Sequence, residues 1–338
     1  MYEQYFGLRE RPFELTTDPR YLVLSSSHKE ALSNLSYGVA TRKGVTVIVG
    51  EVGSGKTTLV RRTLATTDAR TRCVLLMDPH VTPEDFMLFL VRELGLPDLE
   101  AAPRWRRRQE LERHLAQRWD AGDATALIID EAQSLSDAMF EELRLLTNLE
   151  TDTAKLLPLL LVGQPELADR LNQPALRYLK QRVALRCVLR PLDLQETATY
   201  IAARIAVAGG VGSQIFTREA VTAIYQASQG LPRAISVLCD NALLTAFAAG
   251  RKPVSAQIIA DVCKDFDCHA VPGTFETSAS AETHPATEAD GSSEAVSPNR
   301  VPGQPVVPEQ MEHAEGAREL FGGIQRPRRF SLFGATGR

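Results

Sequence analysis

No stretch of the 338 residues approaches the roughly twenty consecutive apolar residues that a membrane-spanning helix requires, so no such helix is expected. The five cysteines, Cys73, Cys187, Cys239, Cys263 and Cys268, include no C-x-x-C pair and sit mostly in apolar patterns, which reads as reduced core residues. The six histidines are scattered, and neither His28 nor His80 stands at metal-ligand spacing, so no zinc site is expected. A secretory signal is missing from the N-terminus, from which a cytoplasmic location follows as an expectation. Net charge is only −4, too little to mark the surface of an obligate nucleic-acid binder. What the chain does have is 44% hydrophobic residues over a length exceeding one average domain, enough to bury a sizeable core.

The most informative stretch is residues 50–57, Gly-Glu-Val-Gly-Ser-Gly-Lys-Thr, a complete G-x-x-x-x-G-K-T phosphate loop. Gly50, Gly53 and Gly55 let the backbone turn tightly, so that the N–H groups of Glu51, Val52, Ser54 and their neighbours through Thr58 can point at a polyphosphate beside a helix N-terminus. Lys56 adds a positive charge near the β and γ phosphates, and Thr57 offers a hydroxyl to Mg²⁺. Context supports the motif: residues 45–49 (Val-Thr-Val-Ile-Val) have the β-branched character of a buried parallel strand, and residues 58–65 continue at helical spacing.

Hydrolysis further requires a metal carboxylate and a group that orients water. Residues 126–131 (Ala-Leu-Ile-Ile-Asp-Glu) supply both. The apolar run reads as a strand buried on both faces, with Asp130 emerging at its carboxyl end to help hold Mg²⁺ and Glu131 placed to polarise the attacking water. Further strands are expected within residues 73–78, 156–164 and 185–189, with Pro158 delaying pairing in the second of these. That strand ends in Gln164, which reads either as an amide sensing the γ-phosphate or as a loop residue capping backbone groups.

In this order the motifs resemble the AAA+ superfamily, and more closely the ATPases of the general secretion pathway protein A (ExeA-like) type. The likeness is carried as well by Tyr5-Phe-Gly-Leu8, Pro12-Phe13, Asp18-Pro19, Tyr21-Leu22, Ser27-His-Lys-Glu-Ala-Leu32, Gly163-Gln-Pro-Glu-Leu167, Gln181-Arg182, Arg190-Pro-Leu192 and residues 230–240 from Gly230-Leu-Pro-Arg233 onward. It covers residues 1 to about 266. The resemblance implies a P-loop NTPase fold: an α/β sandwich on a parallel sheet, with a C-terminal all-α lid. It implies ATP and Mg²⁺ as ligands and self-association into an oligomer. Arg182 matches the position of a finger offered to a neighbour's γ-phosphate, although Arg177, Lys180, Arg186 and Arg190 crowd the same region, and Arg233 matches a second sensor on the lid. Phe6, Phe13 and Tyr21 would pack near the adenine, where composition alone reads an aromatic cluster in a core. Secretion ATPases of this type carry a membrane segment and a peptidoglycan-binding portion, neither of which is matched. The chain is more similar to short soluble members associated with exosortase and exopolysaccharide systems, and more distantly to transposon target-selection ATPases.

Three regions are expected: residues 1–190 as the nucleotide-binding domain, residues 191–268 as a helical lid, and residues 269–338 as a disordered tail. Lid helices are read at 194–208, 217–229, 232–249 and 255–266, stopped by Gly209-Gly210, Gly230 and Gly250. Within the tail, residues 269–319 carry nine acids against two arginines, and residues 320–338 carry four arginines, no acid and several aromatics, which reads as a partner-docking end or an inert one. Arginines at 104 and 106–108 around Trp105 suit a phosphate backbone, yet they also open a helix whose polar face must be solvated, and nucleic acid is the lesser reading; their opposition to the helix dipole mildly favours a binding reason over a folding one. The leading expectation is an oligomeric ATPase serving assembly of a cell-envelope secretion or polysaccharide export system, reaching the inner membrane through a partner. An ATP-dependent DNA-binding regulator and a non-hydrolysing adaptor stand as alternatives.

Overall fold

Five strands, β1 (Val45–Gly50), β2 (Thr71–Leu76), β3 (Ala124–Ile129), β4 (Leu159–Gly163) and β5 (Val183–Leu189), form one sheet in the order β2-β3-β4-β1-β5 in a computed structural model that describes residues 1–15 and 18–266. Every neighbouring pair is parallel. Such a sheet needs cover on both faces, and the period of two along each strand supplies it. Val45, Val47, Val49, Leu127, Ile129, Leu159 and Leu161 face one hydrophobic layer, formed with helices Pro83–Glu93, Arg104–Asp120, Asp137–Leu146 and Pro165–Asn172. Ile48, Ala126, Ile128, Leu160 and Val162 face the other, formed with helices Ser26–Ala40 and Lys56–Thr66. The fold is the expected α/β sandwich. Pairing of β4 begins at Leu159, directly after Pro158, whose carbonyl still accepts from Leu127 N–H at 3.0 Å.

The sheet register brings the working residues to one level. Val49 pairs with Gly163, Gly50 with Leu189, and Ile129 with Leu161. The loop after β1, the acidic pair after β3 and Gln164 after β4 therefore emerge side by side at the carboxyl ends of the strands.

Beyond β5 the chain is helical: Leu194–Val207, Arg218–Ser228, Pro232–Ala248 and Ala256–Asp265, close to the expected spans, plus a short turn at Gly212–Ile215. Asp193 and Glu196 form a reciprocal capping box at the first of these helices. Gly230, at φ +72°, makes the joint between the second and third, where a Cβ would stand 2.0 Å from the Leu192 carbonyl oxygen. The lid core also takes in the N-terminus: Tyr2, Phe6, Leu8 and Phe13 are buried among Ile201, Ile205, Leu238 and Leu243. Phe6 and Phe13 thus belong to a core cluster, the second of the two readings open to them. Among the described residues no helix is long and apolar enough to cross a membrane. The expected tail, and Cys268 with it, lies outside the described residues.

The arginines that open helix Arg104–Asp120 have a folding reason, which corrects the expectation drawn from the helix dipole. Arg104 pairs with the buried Glu142, Arg107 with Glu84 and the Ala102 carbonyl (2.8 Å), and Arg108 donates to the Leu145 carbonyl at 3.0 Å. Bonds that tie this helix to Pro83–Glu93 and Asp137–Leu146 outweigh a dipole penalty of about 0.3–1 kcal/mol.

Candidate nucleotide site

The phosphate loop turns through two residues that L side chains rarely tolerate, Gly53 at φ +78° and Gly55 at φ +96°. Gly55 is the N-cap of helix Lys56–Thr66, whose first-turn N–H groups have no carbonyl within the helix and face the loop. Lys56 is 5% exposed and folds its ammonium back on the loop, donating to the carbonyls of Gly50 (2.9 Å) and Glu51 (3.0 Å). Burial lowers its pKa, and the charges of Glu131, Asp130, Glu51 and Glu166 offset this only in part. Ser54 is almost wholly buried, and its hydroxyl has no protein partner among the described residues.

Thr57 Oγ1 donates to Asp130 Oδ2 at 2.7 Å, and Asp130 is 4% exposed. A hydroxyl and a carboxylate are hard oxygen donors that suit Mg²⁺. Among the described residues no group of three or more His, Cys, Asp or Glu gathers to hold a metal. Two protein oxygens fit an ion that takes its other ligands from phosphate and water.

Glu131 adopts the left-handed conformation, φ 49° and ψ 37°, unusual for a residue with a side chain. Its Oε2 accepts from Gln133 Nε2 (2.6 Å) and from Gln164 Nε2 (3.0 Å). Burial pushes the carboxyl pKa up, but the two amide donors and the Lys56 charge together outweigh it, so the net shift is downward and the ionised form is favoured. Gln164 is the N-cap residue of helix Pro165–Asn172 but makes no side-chain cap bond; its amide reaches Glu131 instead of capping backbone groups.

Arg233 opens helix Pro232–Ala248, and its N–H donates to the Gly53 carbonyl at 3.2 Å. A Cβ on Gly53 would lie 2.9 Å from Arg233 Cβ, so this glycine allows the lid to touch the loop. Gly53, Gly55, Lys56, Thr57, Thr58, Glu131 and Arg233 line one cleft of about 350 Å³ together with Val52. Leu15, Tyr200, Arg204 and Pro232 line it as well. The Arg204 guanidinium lies 5.0 Å from the centre of the Tyr21 ring, and its Nε donates to the Pro12 carbonyl at 2.6 Å, pinning the N-terminal segment beside the cleft.

Arg182 does not join this group. Its carbonyl accepts from Val45 N–H at 3.1 Å, at the start of β1, whereas the loop follows the end of that strand. Six strand residues at about 3.3 Å each separate the two by roughly 20 Å. Its guanidinium donates to Asn148 Oδ1 (2.8 Å) and the Tyr178 carbonyl (3.3 Å).

Two site residues escape a reading of sequence alone. Gln133 contacts both Glu131 and Gln164; its only signal is an amide placed two residues after the acidic pair. His28 is 3% exposed, its Nε2 donates to the Ser54 carbonyl at 2.8 Å, and its Nδ1 lies 2.6 Å from Ser25 Oγ. Nothing in the spacing of 26 residues between His28 and Ser54 announces that bond.

Comparison with known proteins adds to this geometry. Residues 39–171 match a family described as AAA domain. General secretion pathway protein A of Aeromonas hydrophila is 42% identical over 250 residues, which are 74% of this chain and 46% of that protein, so the chain spans about half the length of this relative. Among solved structures, the ORC2 protein of Aeropyrum pernix in its ADPNP-ADP complexes aligns with a TM-score of 0.54 at 19% identity, over 76% of this chain and 71% of its own. Drosophila ORC bound to DNA aligns with a TM-score of 0.57 at 17% identity, over 77% of this chain and 65% of its own. At such identities these two structures speak for the fold alone.

Proposed function

Because the chain belongs to the AAA+ ATPases of the general secretion pathway protein A family, we propose that it binds ATP with Mg²⁺ and hydrolyses it to ADP and phosphate. As an oligomer it would use that cycle to drive or license assembly of a secretion or exopolysaccharide export system. The name of its Aeromonas relative supports the secretion assignment, and a working place in the cytoplasm, at the inner membrane through a partner, goes with it. The observation that carries the reading is the convergence of Lys56, the Thr57–Asp130 pair, Glu131 and Arg233 at one cleft.

The proposed chemistry follows from charge. Lys56 is buried and holds its ammonium on the loop through the Gly50 and Glu51 carbonyls, where it meets the β and γ phosphates of a triphosphate seated on the loop. Loop amides from Glu51 to Thr58 hold the phosphates, while Thr57 and Asp130 would hold Mg²⁺, whose positive charge would offset that of the triphosphate. Glu131 accepts a proton from the water whose oxygen bonds the γ-phosphorus as the bond to the β–γ bridging oxygen breaks. Gln164 turns its amide to the γ-phosphate, and Arg233 brings the lid's positive charge to the same oxygens. Residues 1–190 and 191–268 are proposed as the two domains that close on the nucleotide, with the N-terminal residues lending side chains to the lid core. The alternative of a DNA-binding regulator has less support, since Arg104, Arg107 and Arg108 are engaged within the protein and only Arg106 and Trp105 of its motivating segment stand exposed without such a bond among the described residues.

Arg182 supports the oligomer, because its backbone stands roughly 20 Å of strand from its own loop, so that a part in hydrolysis would be played at a neighbour's γ-phosphate. Turnover per subunit is expected to rise with protein concentration. Arg182→Ala is expected to abolish that rise and lower turnover at the highest concentration at least about a hundredfold, with ATP affinity changed less than about threefold. Turnover independent of concentration and indifferent to the substitution would overturn the trans mechanism.

A further inference from the structure

We propose that Gln133 is a positioning residue that keeps the Glu131 carboxylate aimed while the Gln164 side chain leaves it for the γ-phosphate; the inference rests on the hydrolytic reading above. Gln133 sits in the short turn Ala132–Ser134, directly after the left-handed Glu131. One end of its amide, Nε2, donates to Glu131 Oε2 at 2.6 Å, and the other, Oε1, accepts from Gln164 N–H at 3.0 Å. The second bond is to main chain, so it persists when the Gln164 side chain turns away. At present that side chain shares Glu131 Oε2 with Gln133, through its own bond of 3.0 Å. Once it departs, Gln133 remains as the donor that fixes the carboxylate.

The surroundings are shaped for this bridge. A Cβ on Gly163 would stand 2.6 Å from Gln133 Oε1, so the amide crosses from the β3 loop to the end of β4 through space that only glycine leaves open. From helix Pro165–Asn172, Arg170 Nη1 donates to the Gln133 carbonyl at 2.9 Å and Arg170 Nη2 reaches Asp137 Oδ1 at 2.6 Å, which holds the turn from behind. The task demands a donor and an acceptor on one side chain at a fixed separation. A primary amide has both, a carboxylate lacks the donor, and a thioether offers neither in useful strength. Glu131 needs an external hold because its left-handed backbone costs about 1–3 kcal/mol and its carboxylate would otherwise sample other rotamers.

Steady-state ATP hydrolysis and binding of a non-hydrolysable ATP analogue, measured on the full chain with Gln133→Met and Gln133→Glu, test this. Both substitutions are expected to lower kcat about tenfold or more, with KM and analogue Kd within about twofold of wild type, because what is lost is orientation of the base and not grip on the nucleotide. Gln133→Glu keeps the acceptor for Gln164 N–H, so it preserves the turn even where the Met variant melts early. A kcat within twofold of wild type in either folded variant, or a loss expressed in KM alone, overturns the proposal. Wild-type protein without turnover overturns the hydrolytic reading and this inference with it, whereas turnover that survives in the variants overturns this inference alone.

Discussion

His28 is held between the Ser54 carbonyl and the Ser25 hydroxyl with 3% of its surface exposed, and burial lowers its pKa more than the Ser54 bond and the Glu196 charge raise it. The folded imidazole is therefore neutral at a pH where the unfolded one, near the usual 6.5, already takes a proton. Its contribution to stability is full above that value and is lost as pH falls through it toward the lower folded value. The melting temperature is expected to hold steady from pH 8 to 7 and to fall as pH drops below about 6.5. His28→Gln should lower stability at pH 8 by about 1 kcal/mol, for a strained or lost bond to Ser54, and flatten the acid fall. His114 shifts in the same direction, so some slope survives in the variant; an unchanged slope would assign the whole effect elsewhere. Lys56, Thr57, Asp130 and Glu131 were legible in the sequence because short-range motifs encode them. His28 and Gln133 were not, since their partners lie across the fold or at the end of a different strand.

Helix Arg104–Asp120 illustrates how an element can be located in the sequence and still be misjudged. Its boundaries follow from Pro103 and the apolar spacing of Leu111 and Leu115, but the task of its arginines depends on Glu84 and Glu142, which come from two other helices. Arg104→Ala leaves the Glu142 carboxylate, 3% exposed, without its counter-ion and is expected to cost about 1–3 kcal/mol in denaturant melts. Arg106→Ala, on the exposed side of the same turn, is expected to change stability by less than about 0.5 kcal/mol. Equal effects from the two would mean that the ion pair adds nothing. The start of β4 is legible, since Pro158 lacks an N–H and the ladder begins at the next residue, whereas β2, β3 and β5 each begin two residues before the runs that read as strands.

At the scale of the whole molecule, the N-terminal residues and the C-terminal helices share one core although some two hundred positions separate them. Phe6 is 3% exposed in that core, edge-on to Tyr5 at 4.9 Å between ring centres. Phe6→Ala is expected to destabilise the protein by about 3–5 kcal/mol on denaturant unfolding, with the loss in the helical part. A loss below 1 kcal/mol would show that this segment is only lightly docked. Contacts of this kind set the walls of the cleft as well, since Arg204 on a lid helix binds the carbonyls of Pro12 (2.6 Å) and Glu14 (2.9 Å).

The order of apolar runs, glycines and acids along the chain was sufficient by itself to determine a parallel α/β sheet, a glycine-rich loop leading into a helix, an acidic pair at a strand's carboxyl end and a set of C-terminal helices. Each depends on residues within a few positions of one another, where backbone sterics and hydrophobic period act directly. Only the tertiary structure decided that Gln133 bridges Glu131 to Gln164, that His28 supports the loop, that Phe6 and Phe13 serve the lid, and that Arg182 stands far from its own cleft. Those relations arise from strand order and helix packing, which bring together side chains that no local spacing connects.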